Sequence, residues 1–288
     1  RDLRPTGSPH ARRGGHALSG FSAAWLALRE PADQRARSPG ATALDSLVRR
    51  WGAAGPGLAL DLGSGTGSNR RWLAPRLPAD TRWTLVDHDP ALLDLARAAA
   101  ATESAIRVRA LDLAQQLDQL EIPSRGLVTA AALLDLVSAD WLEALAARCH
   151  AAAAAVVFAL TYDGRCTLKP MDSQDDFIVS LVNQHQRRDK GFGPALGPLA
   201  AAAAARAFAA RGYRLCRVQT DWRIDASEPA LQDALLAGWA TAATEQAPAA
   251  AARIADWLAR RRGHLVRGRS WIGVGHEDLY GWPEAPAG

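Results

Sequence analysis

The stretch Leu58-Ala-Leu-Asp-Leu-Gly-Ser-Gly-Thr-Gly67 limits what this chain can fold into more than any other. A short apolar run ends in the carboxylate Asp61 and opens at once into Gly63, Gly65 and Gly67, as a buried parallel strand does when it hands over to a ligand-cradling turn. Glycine belongs there because the backbone must take conformations closed to residues with a Cβ and let a ligand come close. Leu85-Val86-Asp87 repeats the idea, and Val108-Arg109-Ala110-Leu111-Asp112 repeats it again. Three strands that each deliver a carboxylate to their C-terminal end predict one nucleoside-like ligand lying across the edge of a sheet.

The surrounding pattern alternates. Strands are predicted at 58–62, 82–87 and 106–111, with helices at about 69–77 and 90–101, Pro90 suiting the first turn of the second. Such alternation predicts a parallel sheet with helices on both faces. Further strands are expected at 126–131, 152–161, 213–220 and 270–276. Ser138 reads as the cap of a helix reaching about Cys149, and Gly212 as the stop of a helix over 198–211.

Ahead of the first strand, Ser19 reads as the cap of a helix carrying Phe21, Trp25 and Leu28, which Pro31 ends. A polar piece over 31–38 follows, then a helix over 41–51 with Leu44, Leu47, Val48 and Trp51 on one stripe. Gly52 to Gly57 is a turn cluster, so a helical segment over 1–54 precedes a core domain over 55–288. Two stretches stand outside the minimal alternation: 163–197, and 226–268 with helical patterns at about 229–245 and 248–262 anchored by Trp239 and Trp257. Together with the N-terminal helices they are expected to form a cap over the strand ends, which favours a small enclosed substrate over a long polymer.

Composition sets the remaining bounds. A chain of 288 residues, 48% apolar and 22% charged, can bury a full core. The 34 basic residues against 30 acidic ones give +4, and Lys169 and Lys190 are the only lysines. An arginine bias of this kind is weak evidence for nucleic-acid binding. Cys149, Cys166 and Cys216 share no metal-ligand spacing, so no metal is expected, and free thiols in a reducing cytoplasm are the simpler reading. The longest aliphatic run, Ala151 to Leu160, falls well short of the roughly 20 residues that cross a bilayer. The arginine-rich opening lacks the apolar core of a signal peptide, and its first ~15 residues are expected to be poorly ordered. A cytoplasmic protein without a membrane partner follows as the expectation.

A dinucleotide fingerprint spaces its glycines GxGxxG. Here they run Gly63, Gly65, Gly67 behind Asp61, and Asp61-Leu-Gly-Ser-Gly-Thr-Gly67 resembles the first motif of the class I S-adenosylmethionine-dependent methyltransferases. Val86-Asp87-His88-Asp89-Pro90 is similar to the second-strand motif of that family and Asp112-Leu113 to its third-strand tip. The resemblance implies a Rossmann-like, seven-stranded, mostly parallel sheet with helices on both faces and S-adenosylmethionine as cofactor. It further implies that Asp87, with His88 beside it, takes the ribose hydroxyls, that Asp112 takes the adenine amino group and that the Leu113 N–H meets a ring nitrogen. Asp61 would bear on the methionine end, with Gly63, Ser64, Gly65 and Gly67 packed beneath. An acid-lined cleft suits a ligand carrying a sulfonium and an ammonium.

A sulfonium-borne methyl is already activated, so the protein must mainly align an acceptor and exclude water, with a base needed only where the acceptor holds a proton. His185, near the end of a helix carrying Phe177, Ile178, Leu181 and Val182, is a candidate base, as are Tyr162 after the fifth strand and Asp135 after the fourth. Arg188 and Lys190 are candidates to bind an anionic substrate; Asp221 and Trp222, leaving the sixth strand, are candidate acceptor contacts. Arg37 reads either as a partner of the cofactor carboxylate or as a surface arginine, and His276 as structural. The fourth-strand tip lacks an Asp/Asn/Ser-Pro-Pro-aromatic motif and no cysteine follows proline, so methylation of nucleic-acid bases is unsupported. The expected function is direct in-line methyl transfer to a small molecule. The rivals are an enzyme that cyclises the aminobutyl arm of the cofactor, a catalytically silent cofactor-binding protein, and at the level of the fold a nucleotide-binding dehydrogenase.

Overall fold

The computed structural model describes residues 22–52, 57–100 and 106–284. The expectations for the first ~15 residues, for Ser19 and Phe21, and for positions 53–56 lie outside them.

Among the described residues eight strands form one sheet: β1 (Leu58–Leu62), β2 (Arg82–Asp87), β3 (Ile106–Ala110), β4 (Leu127–Ala131), β5 (Ala155–Lys169), β6 (Tyr213–Gln219), β7 (Trp222–Ile224) and β8 (Trp271–Pro283). Their order is β3-β2-β1-β4-β5-β8-β6, with β7 pairing β8 beside β6. The five strands from β3 to β5 run parallel, and β8 is antiparallel to β5, β6 and β7. Seven strands were expected; the eighth arises because the line of β6 breaks at Thr220–Asp221 and resumes as β7 on the same partner. At that break Thr220 donates its N–H to the His276 carbonyl and the Asp221 carboxylate accepts from the His276 N–H, side chain replacing backbone in the ladder.

β5 departs furthest from the expected end near residue 161, running on to Lys169 because β8 pairs it throughout, from Val156↔Gly281 to Lys169↔Trp271. Residues 163–169 of the expected 163–197 insertion are therefore strand, and its helix spans Asp175–Gln186. Two register shifts, between Phe158 and Thr161 and between Tyr162 and Cys166, bend the strand as it leaves the sheet. Gly164 sits in the second with φ +88°, where a Cβ would lie 2.9 Å from Pro198.

The helices are α1 (Ala23–Ala36), α2 (Ala41–Gly52), α3 (Ser68–Leu73), α4 (Pro90–Ala99), α5 (Ala139–Ala151), α6 (Asp175–Gln186), α7 (Ala200–Ala209), α8 (Pro229–Gln246) and α9 (Ala251–Val266). Ser22 caps α1 and Ser138 caps α5, each hydroxyl accepting a backbone N–H three residues on. Pro31 does not end α1. It lies on the exposed side, where one missing hydrogen bond is tolerable, while Ala32, Asp33 and Ala36 bury the far half of the helix and hold it.

Alternation along the strands fills both faces. Val156 and Phe158 of β5 point to a core with Leu142, Leu145 and Phe208 of α5 and α7. Val157 points the other way, to Leu44, Leu47, Trp72 and Leu93 of α2, α3 and α4. A third core lies beyond these, where Ile178 and Leu181 of α6, Trp239 of α8 and Trp257 of α9 close on Trp222, Ile272 and Val274. Fully burying such side chains contributes roughly 1.5–3 kcal/mol each, so this third layer is firmly held.

Candidate functional site

A cavity of about 520 Å³ opens at the C-terminal ends of β1, β2, β4 and β5. The glycine loop forms one wall. Gly63 (φ +60°) and Gly65 (φ +52°) both face the cavity in the left-handed region. A Cβ on Gly65 would lie 3.0 Å from Leu26 of α1, and one on Gly63 would lie 3.3 Å from Leu133. Gly67 (φ +82°) is the N-cap of α3 and lies behind the wall, as does the buried Ser64, whose N–H donates to the Val86 carbonyl at 2.9 Å.

The strand-end acids do different work. Asp87 is buried on the cavity wall; its carboxylate accepts the Gly65 N–H at 2.8 Å and the Asp89 N–H at 3.0 Å, which ties β2 to the glycine loop. One lone pair on each oxygen remains for a ligand. His88, exposed on the rim, places Nδ1 3.3 Å from Asp87. Asp112 lines the cavity half-buried and accepts the Ala114 N–H, while the Leu113 carbonyl takes the Trp141 indole N–H at 2.7 Å, fixing the tip beyond β3. Asp61 stays beneath the loop, fully buried, accepting the Asn69 amide at 2.6 Å. Burial pushes its carboxyl up to about 7. Asn69 in turn accepts from Arg37 at 2.8 Å, and Arg37, 2% exposed, lies over Trp72 and 3.7 Å from Asp278. The arginine that read as a surface or cofactor contact is a buried strut between α1, α3 and β8.

The opposite half of the cavity is built by β4, β5, β8 and the helices above them. Asp135 is buried on this wall with Oδ1 lacking any partner among the described residues, and burial pushes its carboxyl up to about 6. Tyr162 lines the wall and donates its hydroxyl to Asn183 Oδ1 at 2.6 Å, and burial raises its pKa. Trp222 lines it too, its indole N–H on Asp33 at 3.0 Å and the Arg29 guanidinium 5.2 Å from its ring centre. His276, which read as structural, faces the cavity between Trp222 and Tyr162 with Nδ1 unpartnered; burial lowers its pKa to about 3, so the ring is neutral. Ala132 (φ +52°) and Leu160 (φ +53°), both non-glycine, line this half in the left-handed region, where backbone strain gathers at functional sites.

Over the mouth, His185 of α6 holds Glu245 of α8 at 2.9 Å through Nε2 and accepts Lys190 Nζ at 3.3 Å on Nδ1. His185 and Lys190 line the cavity, and burial lowers the pKa of each. Arg188 and Asp221 are not brought in: Arg188 pairs with Glu245 at 3.5 Å, and Asp221 with Arg165 at 2.7 Å. Sequence reasoning missed Trp25, Leu26 and Arg29 of α1 as wall residues, and took Trp239 of α8 only as a packing anchor. Arg29 and Asp33, four apart and bonded at 2.9 Å, were the available signal.

A sheet in this order, with a cavity of nucleoside size at the β1/β4 switch point, is a doubly wound α/β fold of the kind that receives ligands at the C-terminal ends of its strands. Residues 59–155, about a third of the chain, match the family model described as a methyltransferase domain; they run from β1 to the start of β5 and include all three acids. Over that stretch the chain is similar to methyltransferase domains. No curated protein matches it by sequence. Among solved structures it is similar to the cyclopropane synthase MmaA2 from Mycobacterium tuberculosis, at 14% identity and TM-score 0.45 over 83% of each chain. It is also similar to geranyl diphosphate methyltransferase in complex with GPP and sinefungin, at 15% identity and TM-score 0.46 over 85% of this chain and 78% of that one. A phosphoethanolamine N-methyltransferase from Haemonchus contortus is 13% identical with TM-score 0.40; 84% of this chain covers 53% of that one.

Proposed function

We propose that the chain methylates a small molecule enclosed between the strand ends and a cap made of α1, α6 and α8. The observation that carries this reading is one cavity shared by the glycine loop, Asp87 and Asp112 on one side and Asp135, Tyr162 and His276 on the other. Its size lies within the ~300–1,000 Å³ range of small-molecule sites. Glycines whose added Cβ atoms would crowd Leu26 and Leu133, and a buried carboxylate with lone pairs to spare, fit a nucleoside.

In this reading Asp87 and His88 hold the ribose, Asp112 and Leu113 the adenine, and Gly63 and Gly65 run beneath the methionine arm. Asp61 acts one layer down, holding Asn69 and through it α3 and Arg37, with Ser64 and Gly67 shaping the turn. S-adenosylmethionine, when bound, supplies a methyl on a positively charged sulfur. The residues of the chain do the rest: Trp25, Trp222 and Trp239 exclude water, Tyr162 shapes the wall, and Asp135 accepts a proton from an acceptor that carries one.

Among the described residues no helix is long and apolar enough to cross a membrane; we propose a cytoplasmic enzyme with metabolite substrates and no nucleic-acid partner. Incubating the purified protein with S-adenosylmethionine and pooled small metabolites tests the reading. S-adenosylhomocysteine formed only when a metabolite fraction is present supports it. Methylthioadenosine formed without an acceptor supports cyclisation of the aminobutyl arm, and cofactor binding without turnover supports a silent binding protein.

A further inference from the structure

Charge on the acceptor side of the cavity is unevenly compensated. Arg29 and Lys190 line that side, and Arg188 lies close to it. Arg29 is taken up by Asp33, with Nε and Nη2 on its two carboxylate oxygens at 2.9 and 3.1 Å. Arg188, outside the cavity, is taken up by Glu245. Lys190 has no carboxylate within 4.0 Å among the described residues; the hydrogen bond found for its ammonium is to His185 Nδ1.

That bond is directed. With Lys190 donating to Nδ1, the His185 proton sits on Nε2 and is held by Glu245, so the imidazole is neutral and serves as an acceptor that aims the lysine. The relay ties α8, α6 and the loop after α6 to one ammonium on the cavity wall. His185 in this arrangement positions Lys190 and does not take the acceptor's proton. Trp25, Trp222 and Trp239 supply a broad apolar surface in the same half, and Asp135 supplies a carboxylate oxygen without a partner.

Building on the reading of this cavity as the seat of a small acceptor, we propose that the acceptor is a hydroxy acid. Its carboxylate rests on Lys190, its apolar or aromatic body lies against the three tryptophans, and its hydroxyl turns to Asp135. A single ammonium without an arginine fork suits a monoanionic carboxylate better than a phosphate, which calls for several convergent donors. Methyl transfer to the hydroxyl oxygen forms the O–CH₃ bond and breaks the S–CH₃ bond with its electron pair kept by sulfur, and the hydroxyl proton passes to Asp135.

Calorimetry on protein saturated with S-adenosylhomocysteine tests this. The probes are 4-hydroxybenzoate, 3-(4-hydroxyphenyl)propanoate and 3-hydroxydecanoate, each with its primary amide, and 4-hydroxyphenyl phosphate. At least one acid is expected to bind about tenfold or more tighter than its amide, the scale of one hydrogen bond to a charged group, and tighter than the phosphate. Lys190→Met is expected to erase that preference while leaving affinity for S-adenosylhomocysteine unchanged, which also reports an intact fold. Glu245→Gln, which loosens the relay without touching the cavity cation, is expected to reduce the preference in part. Equal binding of acid and amide, binding by none of the acids, a tighter phosphate, or a preference that survives Lys190→Met overturns the proposal. Failure of the wild-type protein to take up S-adenosylhomocysteine would instead overturn the methyltransferase reading beneath it.

Discussion

Asp278→Ala is expected to be among the most damaging single changes in the chain. The Asp278 carboxylate is fully buried in β8 and gathers three hydrogen bonds: from the Leu160 N–H at 2.7 Å, the Thr220 hydroxyl at 2.7 Å and the Tyr280 hydroxyl at 3.0 Å. It is also the anion nearest Arg37, at 3.7 Å, whose Nε and Nη2 make no hydrogen bond of their own. Removing the anion strands a guanidinium that is 2% exposed and frees the left-handed bulge at Leu160 on the cavity wall. Breaking a buried ion pair by removing one partner costs about 3–5 kcal/mol, and that is the loss expected in urea denaturation. The three hydrogen bonds overlap with this figure and are not added to it. Arg37→Met in the Asp278→Ala background removes the stranded charge, so the double variant should lose at least about 1 kcal/mol less than the sum of the singles. A loss below about 1 kcal/mol for Asp278→Ala, or strict additivity in the cycle, would refute the view of Arg37–Asp278 as a buried electrostatic strut.

Gly65→Ala forces a Cβ into the left-handed region 3.0 Å from Leu26, so stability in urea should fall by about 1–2 kcal/mol, and an unchanged midpoint would show that the loop relaxes freely. Asp135 is protonated in the folded protein up to about pH 6 but only to about 4 when unfolded, so it penalises the fold increasingly as pH rises between those values and constantly above them. Asp135→Asn should therefore gain stability relative to wild type on going from pH 4 to pH 7, by an amount on the order of 2–3 kcal/mol, and equal pH profiles would contradict the burial. Because Asp135 must be ionised to accept a proton, turnover of a hydroxylated acceptor should rise through about pH 6 and lose that limb in Asp135→Asn.

The readable part of the molecule was the part written locally. Apolar runs ending in Asp61, Asp87 and Asp112, each a few residues from its own turn, placed β1 to β3 and three carboxylates within a residue or two of their observed positions. The long arm of β5 was hidden because Asp163-Gly-Arg reads as a turn, and only β8, more than a hundred residues later, supplies its ladder. Pro31 misled for a related reason: its local cost is real, but the burial of Ala32, Asp33 and Ala36 against distant residues outweighs it. Arg37 and Asp278 carry no sequence signal of their partnership, lying 241 positions apart. Residues 19–30 read as a covering helix, yet Arg29 and Trp25 became wall residues only once β7 and α8 were seen to meet that helix.

The central claim is that Asp87 and the glycine loop hold the nucleoside of S-adenosylmethionine. Titrating wild-type protein and Asp87→Ala with S-adenosylhomocysteine in a calorimeter tests it most directly. Saturable one-to-one binding by the wild type, weakened in the folded variant by roughly 1.5–3 kcal/mol as hydrogen bonds to a charged group are lost, is the predicted result. Equal affinity of the two proteins, or uptake of NAD in place of S-adenosylhomocysteine by the wild type, would contradict it.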